Sequence, residues 1–287
     1  MKDIAASLVK ELREITGMGM MDCKKALLET KGDIQLAVEE LRKSAENNSN
    51  RKAKRITAEG VIASLSNNNK ACMVEINCET DFVARDTLFK NFAQEVVTKL
   101  FSKVNLSFDE LVEGKIEKER TRLIQELGEN IVIRRVAKSN VHSDSVGMYL
   151  HSNKKICCIV SFKGEAENIA KDIAMHSAAT DPLAINIEDI PKEILDKERE
   201  IIQAQSNDNS KPVEVIHKII EGKMKKYLSE VTLIEQNFVK SPSTKIETLL
   251  QENKVQVIEL ARFEVGEGIE LESSNFASEV MSQLKKD

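Results

Sequence analysis

The stretch EGVIASLSNNNKACMVEIN, residues 59–77, decides the fold that the sequence predicts. β-branched and apolar residues alternate with polar ones on both sides of an Asn-rich turn at residues 67–69, which is the pattern of two strands joined as a hairpin. A helix is expected over about residues 85–101 and another over about 117–128, and NIVIRRVA at residues 130–137 predicts a third strand. Residues 56–140 therefore predict a strand–strand–helix–strand unit with an antiparallel sheet.

The same order of elements recurs later in the chain. Residues 146–162 predict two strands joined by a Ser-Asn-Lys turn, a helix is expected over about 166–179, and a last strand at 255–264 follows a long insertion. We therefore expect a two-part α+β core, whose second subdomain comprises residues 141–189 and 231–264. The insertion, residues 190–230, has apolar residues at helical spacing on two arms separated by the polar run NDNSKP, which predicts an antiparallel helical hairpin of the coiled-coil type.

Helical modules are predicted at both ends of the chain. Residues 1–55 hold three short segments of helical spacing separated by glycine-containing turns, an arrangement that resembles ubiquitin-associated domains, and polar residues 45–55 predict a linker. RFEVGEGI, residues 262–269, predicts a hinge after the last strand. The C-terminal module, residues 265–287, is expected to contain an amphipathic helix at about 275–284.

Composition argues against several functional classes. The chain has 287 residues, with 42 Lys and Arg against 47 Asp and Glu and a net charge of −5. Nucleic-acid-binding proteins usually carry a basic surplus, and the absence of Trp with only two Tyr leaves few stacking platforms, so no nucleic-acid partner is expected. No apolar run reaches the roughly 18 residues of a membrane span, and the N-terminus resembles neither a signal nor a transit peptide. We expect a cytoplasmic protein with no membrane partner.

Familiar catalytic and metal-binding motifs are absent from the sequence. It contains no phosphate-binding glycine loop, no nucleophile elbow and no His-Glu-x-x-His motif, and its four histidines lack metal-ligand spacing. The five cysteines include no Cys-x-x-Cys pair, so we expect them to be reduced and mostly buried. His176, on a predicted helix, is expected to have a structural role. The sequence predicts no catalytic residue, no metal site and no cofactor.

Two apolar motifs point instead to a protein partner. GMGMM at residues 17–21 places three methionines where a turn enters the second helix; their adaptable side chains could bind a partner or complete the core of the bundle. The motif TDFV joins a strand to a helix that either Thr80 or Asp81 could cap. The ring of Phe82 either packs beneath its own helix or projects towards another protein. The corresponding junction of the second unit, residues 163–165, has no aromatic residue.

Several motifs resemble those of the elongation factor Ts family, in the same order along nearly the whole chain. They are SLVKELR at 7–13, GMMDCKKAL at 19–27, TDFV at 80–83, GENI at 128–131, IRRV at 133–136, EGKMKK at 221–226 and RFEVGEG at 262–268. The resemblance implies the fold predicted above. It also implies a function without catalytic chemistry: binding elongation factor Tu in its GDP-bound and nucleotide-free states, displacing Mg²⁺, and promoting GDP release so that GTP can bind.

The resemblance also assigns roles to individual residues. Mg²⁺ would be dislodged from elongation factor Tu by Thr80, Asp81, Phe82 and Val83, with Asp81 and Phe82 entering the GTPase near the ion. Further contacts with the partner would come from Met20, Met21, Lys24, Gly128 and His151. The hairpin would serve a homodimer or a further partner contact. Its polar tip at residues 206–210 departs from the family pattern and leaves these two roles open.

Two other functions stay open from the residues alone. An adaptor of the ubiquitin-associated type would use the N-terminal bundle but would not need the TDFV motif or the paired core. A cysteine-dependent enzyme would need a low-pKa thiol beside a base. The adjacent Cys157 and Cys158, in a predicted strand, do not provide that arrangement.

Overall fold

Three helices form a bundle at the N-terminus of the protein, which a computed structural model describes over residues 4–67, 69–103, 105–206 and 212–270. They are α1 (Ala6–Thr16), α2 (Met20–Glu29) and α3 (Ile34–Lys52). Gly17 ends α1 in the left-handed conformation, at a φ of 69°. Leu12, Cys23 and Leu27 are among the buried side chains that the helices share. The predicted three-helix arrangement is confirmed.

The predicted linker at residues 45–55 is wrong over most of its length, because α3 continues to Lys52. The sequence there, AENNSNRK, has no apolar stripe, and a helix that bridges two modules needs none. The ammonium group of Lys52 donates a hydrogen bond of 3.1 Å to the carbonyl oxygen of Ile124 in the core. The bundle is therefore joined to the core by a helix that contacts it, rather than by a coil.

The first half of the core has the predicted strand–strand–helix–strand order. Its elements are β1 (Glu59–Asn67), β2 (Lys70–Cys78), α4 (Asp81–Arg85), α5 (Thr87–Ser102), α6 (Phe108–Val112), α7 (Lys115–Leu127) and β3 (Val132–Lys138). The strands pair antiparallel in the order β1-β2-β3, and side chains of α5 and α7 bury one face of this sheet. Helix α6 is not among the predicted elements, although Ser107 and Glu110 form the capping box that starts it.

The second half repeats that order around a long insertion. Its elements are β4 (Ser145–Leu150), β5 (Ile156–Lys163), α8 (Ala170–Thr180), the hairpin helices α9 (Lys192–Ser206) and α10 (Val213–Val231), and then β6 (Asn237–Phe238), β7 (Ser241–Lys245), α11 (Ile246–Glu252) and β8 (Gln256–Glu264). The sheet is antiparallel in the order β4-β5-β8, and α8 packs on one of its faces. The elements β6, β7 and α11 are additions to the predicted layout.

The two sheets pack on each other through the faces opposite their helices. Alternate residues of β5 show this arrangement: Cys158 faces the α8 side, whereas Cys157 and Ile159 pack with Ile62 and Met73 of the first sheet. Successive strand side chains point to opposite faces, so one strand contributes to two apolar layers. The core therefore has four layers, in the order helices, sheet, sheet, helix. This agrees with the predicted two-part α+β fold.

The inserted hairpin is confirmed, and its arms pack on each other. Ile202 of α9 meets Ile220 and Met224 of α10 in a small buried cluster. The turn between the arms, residues 207–211, lies outside the described residues, and so does the amphipathic helix expected at about 275–284.

The predicted hinge at residues 262–269 is wrong, because this segment is bonded to the first half of the core. The backbone N–H of Gly266 donates to the carboxylate of Glu75 at 2.9 Å. The guanidinium group of Arg135 donates to the carbonyl oxygen of Glu264 at 3.0 Å. The described part of the C-terminal module, up to residue 270, therefore begins from a turn that is held against the first sheet.

Candidate functional site

The TDFV motif forms a tight junction between β2 and α4, and its four side chains have different surroundings. Thr80 is the N-cap of α4, and its hydroxyl oxygen accepts a 3.5 Å hydrogen bond from the backbone N–H of Val83. Val83 is buried in the core of the first half. The side chain of Phe82 is 81% exposed. Of the two positions that the sequence allows for this ring, the structure shows the projecting one.

A carboxylate from the loop before β3 holds this junction in place. Glu129 accepts hydrogen bonds from the backbone N–H groups of Glu79 and Thr80, at 3.0 and 2.9 Å, and from the Thr80 hydroxyl at 2.5 Å. In return, the Glu79 carboxylate accepts a 2.7 Å hydrogen bond from the backbone N–H of Asn130. Phe82 therefore projects from a turn whose backbone is fixed on both sides, which limits collapse of the ring onto its own protein.

Gly128 shapes the loop that carries Glu129. It ends α7 in the left-handed conformation, at a φ of 81°, and its N–H donates to the carbonyl oxygen of Ile124. Glycine adopts this conformation without the steric penalty of a Cβ atom. The structure therefore gives Gly128 a role in positioning Glu129. Sequence reasoning missed Glu129 as a functional residue, although it lies within the GENI motif.

Asp81 is accessible at the same junction. Its carboxylate forms a 2.9 Å ion pair with Arg85, one helical turn further along α4, and its side chain is 44% exposed. Exposed ion pairs of this kind contribute about 0–1 kcal/mol to stability, so the contact does little to fix the carboxylate. Asp81 and Phe82 are the two members of the motif whose side chains another protein could reach.

His151 lies in the turn between β4 and β5, and this turn touches the first half of the core. The carbonyl oxygen of Lys154 accepts a 2.8 Å hydrogen bond from the N–H of Ile62, and Lys155 is paired with Glu59. Glu59 lies opposite Cys78, the last residue of β2. The exposed His151 is thus brought to the end of the core at which the TDFV junction begins.

The predicted contacts on the bundle lie mainly at the start of α2. This helix begins at Met20, and the side chains of Met20 and Met21 are 48% and 75% exposed, whereas Met18 is buried in the bundle core. Lys24 is exposed on the same helix. A Cβ atom added at Gly17 would lie 3.1 Å from the carboxyl carbon of Glu126, so this part of the bundle adjoins the end of α7 that leads to Gly128.

Among the described residues, the buried cysteines of the core do not form a nucleophilic site. All five cysteines are free and buried. Burial raises the pKa of Cys72 to about 11 and those of Cys78 and Cys157 to about 12, and it also raises the pKa of Cys158. Since a thiolate is the reactive form, these groups are inert near neutral pH, which argues against the cysteine-dependent enzyme.

His176 has the structural role expected of it. Its Nε2 atom lies 2.8 Å from Oε1 of Gln236, and its Nδ1 accepts a 3.3 Å hydrogen bond from the N–H of Val239. Burial lowers the pKa of His176, and the Gln236 hydrogen bond opposes that effect. The ring therefore ties α8 to the segment around β6.

Other features of the described residues lie apart from the predicted contacts. A groove of about 610 Å³ runs beside the hairpin, lined by residues such as Arg199, Met224 and Lys245, and includes none of the predicted site residues. Over the described part of the chain, no cluster of three or more His, Cys, Asp or Glu side chains could hold a metal ion. Nor does any described helix have both the length and the hydropathy of a membrane span.

Comparisons with known proteins agree with the motifs. The family model described as Elongation factor TS matches residues 79–267, from the TDFV junction to the turn after β8. The elongation factor Ts of Hahella chejuensis is 47% identical over 287 residues, which is 99% of this chain and 100% of the relative. That of Marinobacter nauticus is 46% identical over 98% of this chain and 97% of the relative. That of Francisella tularensis subsp. novicida is 44% identical over 99% of this chain and 100% of the relative. The chain therefore belongs to the elongation factor Ts family.

Proposed function

We propose that this chain binds elongation factor Tu in its GDP-bound form, displaces Mg²⁺ and GDP, and leaves when GTP binds. Membership of the elongation factor Ts family supports the general role of a nucleotide exchange factor. The observation that carries the detailed proposal is the position of Phe82, 81% exposed on a turn that Glu129 fixes by three hydrogen bonds. Such a ring is available to enter a cleft in another protein.

Asp81 and Phe82 are the residues that we assign to the Mg²⁺ site of the partner. Phe82 would fill an apolar space in the GTPase, and the Asp81 carboxylate would disturb the charge balance around the ion. Thr80 and Val83 would act indirectly, because Thr80 bonds to Glu129 and Val83 packs in the core. The motif thus divides into two residues that reach the partner and two that hold them.

A comparison of the free energy that faster GDP release requires with the free energy that burial of Phe82 supplies indicates that Phe82 does not act alone. Accelerating GDP release by about 10⁴-fold requires roughly 5.5 kcal/mol, at about 1.36 kcal/mol per tenfold change in rate. Burying the Phe82 side chain supplies about 1.5–3 kcal/mol. Other contacts must therefore contribute. The exposed Met20, Met21, Lys24 and His151 are our candidates for direct contacts, with Gly128 supporting the loop beside them.

The hairpin is our candidate for a second association surface. Its arms bury Ile202, Ile220 and Met224 between them, which leaves Val213, Val215 and Ile201 among the exposed apolar residues of the two helices. A homodimer would cover these side chains with a second copy, and a partner contact would cover them with elongation factor Tu. The dependence of molecular mass on protein concentration, measured without and with elongation factor Tu, distinguishes the two.

The proposal is tested by adding the purified protein to elongation factor Tu loaded with fluorescently labelled GDP. We expect substoichiometric amounts to accelerate the release of label in the presence of excess unlabelled nucleotide. Binding is reciprocal, so the affinity that GDP loses in the complex is also the affinity that this protein loses when GDP binds. Release at the spontaneous rate, with a protein shown to be folded by circular dichroism, would contradict the proposal.

The chain itself is expected to have no catalytic activity and to work in the cytoplasm without a nucleic-acid or membrane partner. Its sequence offers no phosphate-binding loop, so we expect no binding of GDP to the isolated protein. Equilibrium dialysis of the isolated protein against labelled GDP checks this expectation, and binding at micromolar concentration would overturn it.

A further inference from the structure

A buried charge cluster joins the two halves of the core. The side chain of Glu75, in the middle strand β2, is fully buried. Its carboxylate lies 3.0 Å from Nη1 of Arg134 and 2.5 Å from Nε of Arg135, and it accepts hydrogen bonds from the Gly266 N–H at 2.9 Å and the Asn77 amide at 3.1 Å. A buried carboxylate is tolerated when its oxygens are bonded in this way.

A β-bulge allows two successive arginines to reach the same carboxylate. In the pairing of β2 with β3, Glu75 lies opposite Arg135 and Ile76 lies opposite Ile133, so Arg134 is the extra residue. Neighbouring side chains of a regular strand point to opposite faces of the sheet, whereas a bulge breaks this alternation. The irregularity therefore serves the ion pairs: it brings both guanidinium groups to Glu75.

The same arginines hold the turn that follows β8 in the second half. Arg135 donates to the carbonyl oxygen of Glu264 at 3.0 Å and to the carboxylate of Glu267 at 2.8 Å, and Arg134 donates to the carbonyl oxygen of Glu267. Gly266 has a φ of 79°, and a Cβ atom there would lie 2.3 Å from the carbonyl oxygen of Ala58. Only glycine fits this close approach, which places the turn directly against the first half.

Burial alone would raise the pKa of Glu75, but the Gly266 N–H and the two guanidinium groups outweigh it and lower the pKa. The carboxylate therefore stays ionised near neutral pH. The strands that it links also carry the candidate site. Three residues after Glu75, β2 ends at Cys78 and leads to the TDFV junction, and β3 begins just after the loop of Glu129 and Asn130.

We propose that Glu75 is a positioning residue, which fixes the two sheets relative to each other so that the Phe82 turn and the second half engage one partner together. This proposal rests on the proposed exchange function for its effect on activity. Its structural part stands without that function. Loss of the carboxylate should loosen the relation between the halves more than it loosens either half.

The test measures distances between pairs of spin labels in the full chain. All five native cysteines are buried, so cysteines introduced at exposed helix positions can be labelled selectively. Asn91→Cys on α5 with Lys171→Cys on α8 reports on the relation between the halves, and Asn91→Cys with Lys118→Cys on α7 reports on the first half alone. We expect Glu75→Gln to broaden the first distance distribution about twofold or more and to leave the second unchanged. GDP release should slow by about tenfold.

Two controls separate positioning from general loss of stability. Val97→Ala removes buried atoms from the first core without touching the cluster, and Glu95→Gln removes a carboxylate that pairs with Lys115 on the outer surface. Both should leave the distance between the halves unchanged, even where the melting temperature falls. If Glu75→Gln does not fold, Arg135→Lys keeps the charge but loses the planar fork, and it should broaden the same distribution.

Unchanged distributions in a folded Glu75→Gln protein would overturn the proposal, as would equal broadening of both label pairs or broadening by Val97→Ala. Broadening between the halves with normal GDP release would also overturn it, because the positioning would then not serve exchange. If Phe82→Ala leaves GDP release unchanged, the proposed site fails, whereas the label distances still decide whether Glu75 fixes the two halves.

Discussion

In each half of the core the second strand leads to a helix. Both junctions bury apolar side chains, such as Val83 in the first, but the first also carries an exposed aromatic ring. At residues 79–85 the ring of Phe82 stands in solvent, 81% exposed. At residues 163–169 the apolar side chains of Ala166 and Ile169 are buried against the second sheet. Both junctions are nevertheless held by a carboxylate, because Asp144 accepts a 2.9 Å hydrogen bond from the Gly164 N–H as Glu129 does from Glu79 and Thr80.

This difference distinguishes the features of the first junction that its own fold requires from the exposed ring of Phe82, which its fold does not require. A hydrogen bond to the Asp144 carboxylate and buried apolar side chains fix the second junction without an exposed aromatic ring. An exposed aromatic ring adds nothing to that connection, and it leaves apolar surface in water at a cost that only burial elsewhere can remove. The first junction therefore combines a support of the kind that both junctions share with an exposed ring, which is what the proposed contact of Phe82 with a partner requires.

The largest effect is expected from shortening the buried apolar residue of the second junction. Ile169→Ala should lower the free energy of unfolding by about 2–5 kcal/mol, because it leaves a cavity beside α8. GDP release, measured at a temperature where the variant is folded, should stay within about twofold of the parent. Chemical denaturation and the labelled-GDP assay test the two halves of this prediction. A folded variant with a tenfold exchange defect would show that the second junction also binds the partner.

The next effect concerns the two carboxylates that hold the junctions. Glu129→Ala leaves three donors without their acceptor and should cost about 1–3 kcal/mol. It should also slow GDP release by about tenfold, because Phe82 is no longer held. Hydrogen exchange at the amides of Glu79 and Thr80 reports on the release of the turn.

Asp144→Ala is the matched control. It should speed hydrogen exchange at the amide of Gly164 and leave GDP release unchanged. An equal slowing of GDP release in the Glu129 and Asp144 variants would mean that overall stability, rather than the position of the Phe82 side chain, determines activity.

A smaller effect is expected from Asp81. The free energy of unfolding of Asp81→Asn should lie within about 1 kcal/mol of that of the parent, since the change removes only the exposed ion pair with Arg85. It should slow GDP release severalfold when Mg²⁺ is present and hardly at all in EDTA, because the ion is then already gone. Arg85→Gln breaks the same ion pair but keeps the carboxylate, so it should exchange normally. Matching defects in the two variants would assign the effect to the ion pair.

The smallest effect is a pH dependence of the free energy of unfolding, and its source is a buried histidine in the second half. Burial holds the pKa of His176 below its ordinary value of about 6.5, so the unfolded chain takes up this proton first as the pH falls. The stability contributed by the neutral ring is complete above pH of about 6.5 and is lost as the pH falls towards the folded pKa. Denaturation of parent and His176→Gln between pH 5 and about 7.5 measures the difference. If the free energy of unfolding changed with pH equally in both proteins, His176 would be excluded as the source of the pH dependence.

The layout of the core could be predicted because its strands and helices carry their own periodicity. The alternation around residues 59–77 depends only on neighbouring residues, and so does the spacing of Phe89, Phe92 and Val96 on α5. The end of α3 could not be predicted in this way, because AENNSNRK has no apolar stripe to reveal a helix. The capping box of Ser107 and Glu110 was a local signal for α6 that periodicity alone overlooks.

The candidate site depended on contacts between distant parts of the chain. The pattern around Phe82 allowed both a buried and a projecting ring, and the projecting position goes with the bonds from Glu129, 50 residues away from Glu79. The hinge interpretation of residues 262–269 failed for the same reason, since Gly266 bonds to Glu75, which lies 191 residues earlier. A single sequence does not show such pairings.

The most direct test of the account compares the stability and the exchange activity of Phe82→Ala in the same preparation. Leu88→Ala, which shortens another exposed apolar side chain in the first half, is the control. We expect the free energy of unfolding of Phe82→Ala to lie within about 0.5 kcal/mol of that of the parent. We also expect this variant to release GDP from elongation factor Tu roughly ten- to a hundredfold more slowly, the equivalent of losing about 1.5–3 kcal/mol of apolar contact. A Phe82→Ala protein that melts several degrees lower yet exchanges at the parental rate would show that the ring serves its own fold, and would contradict the account.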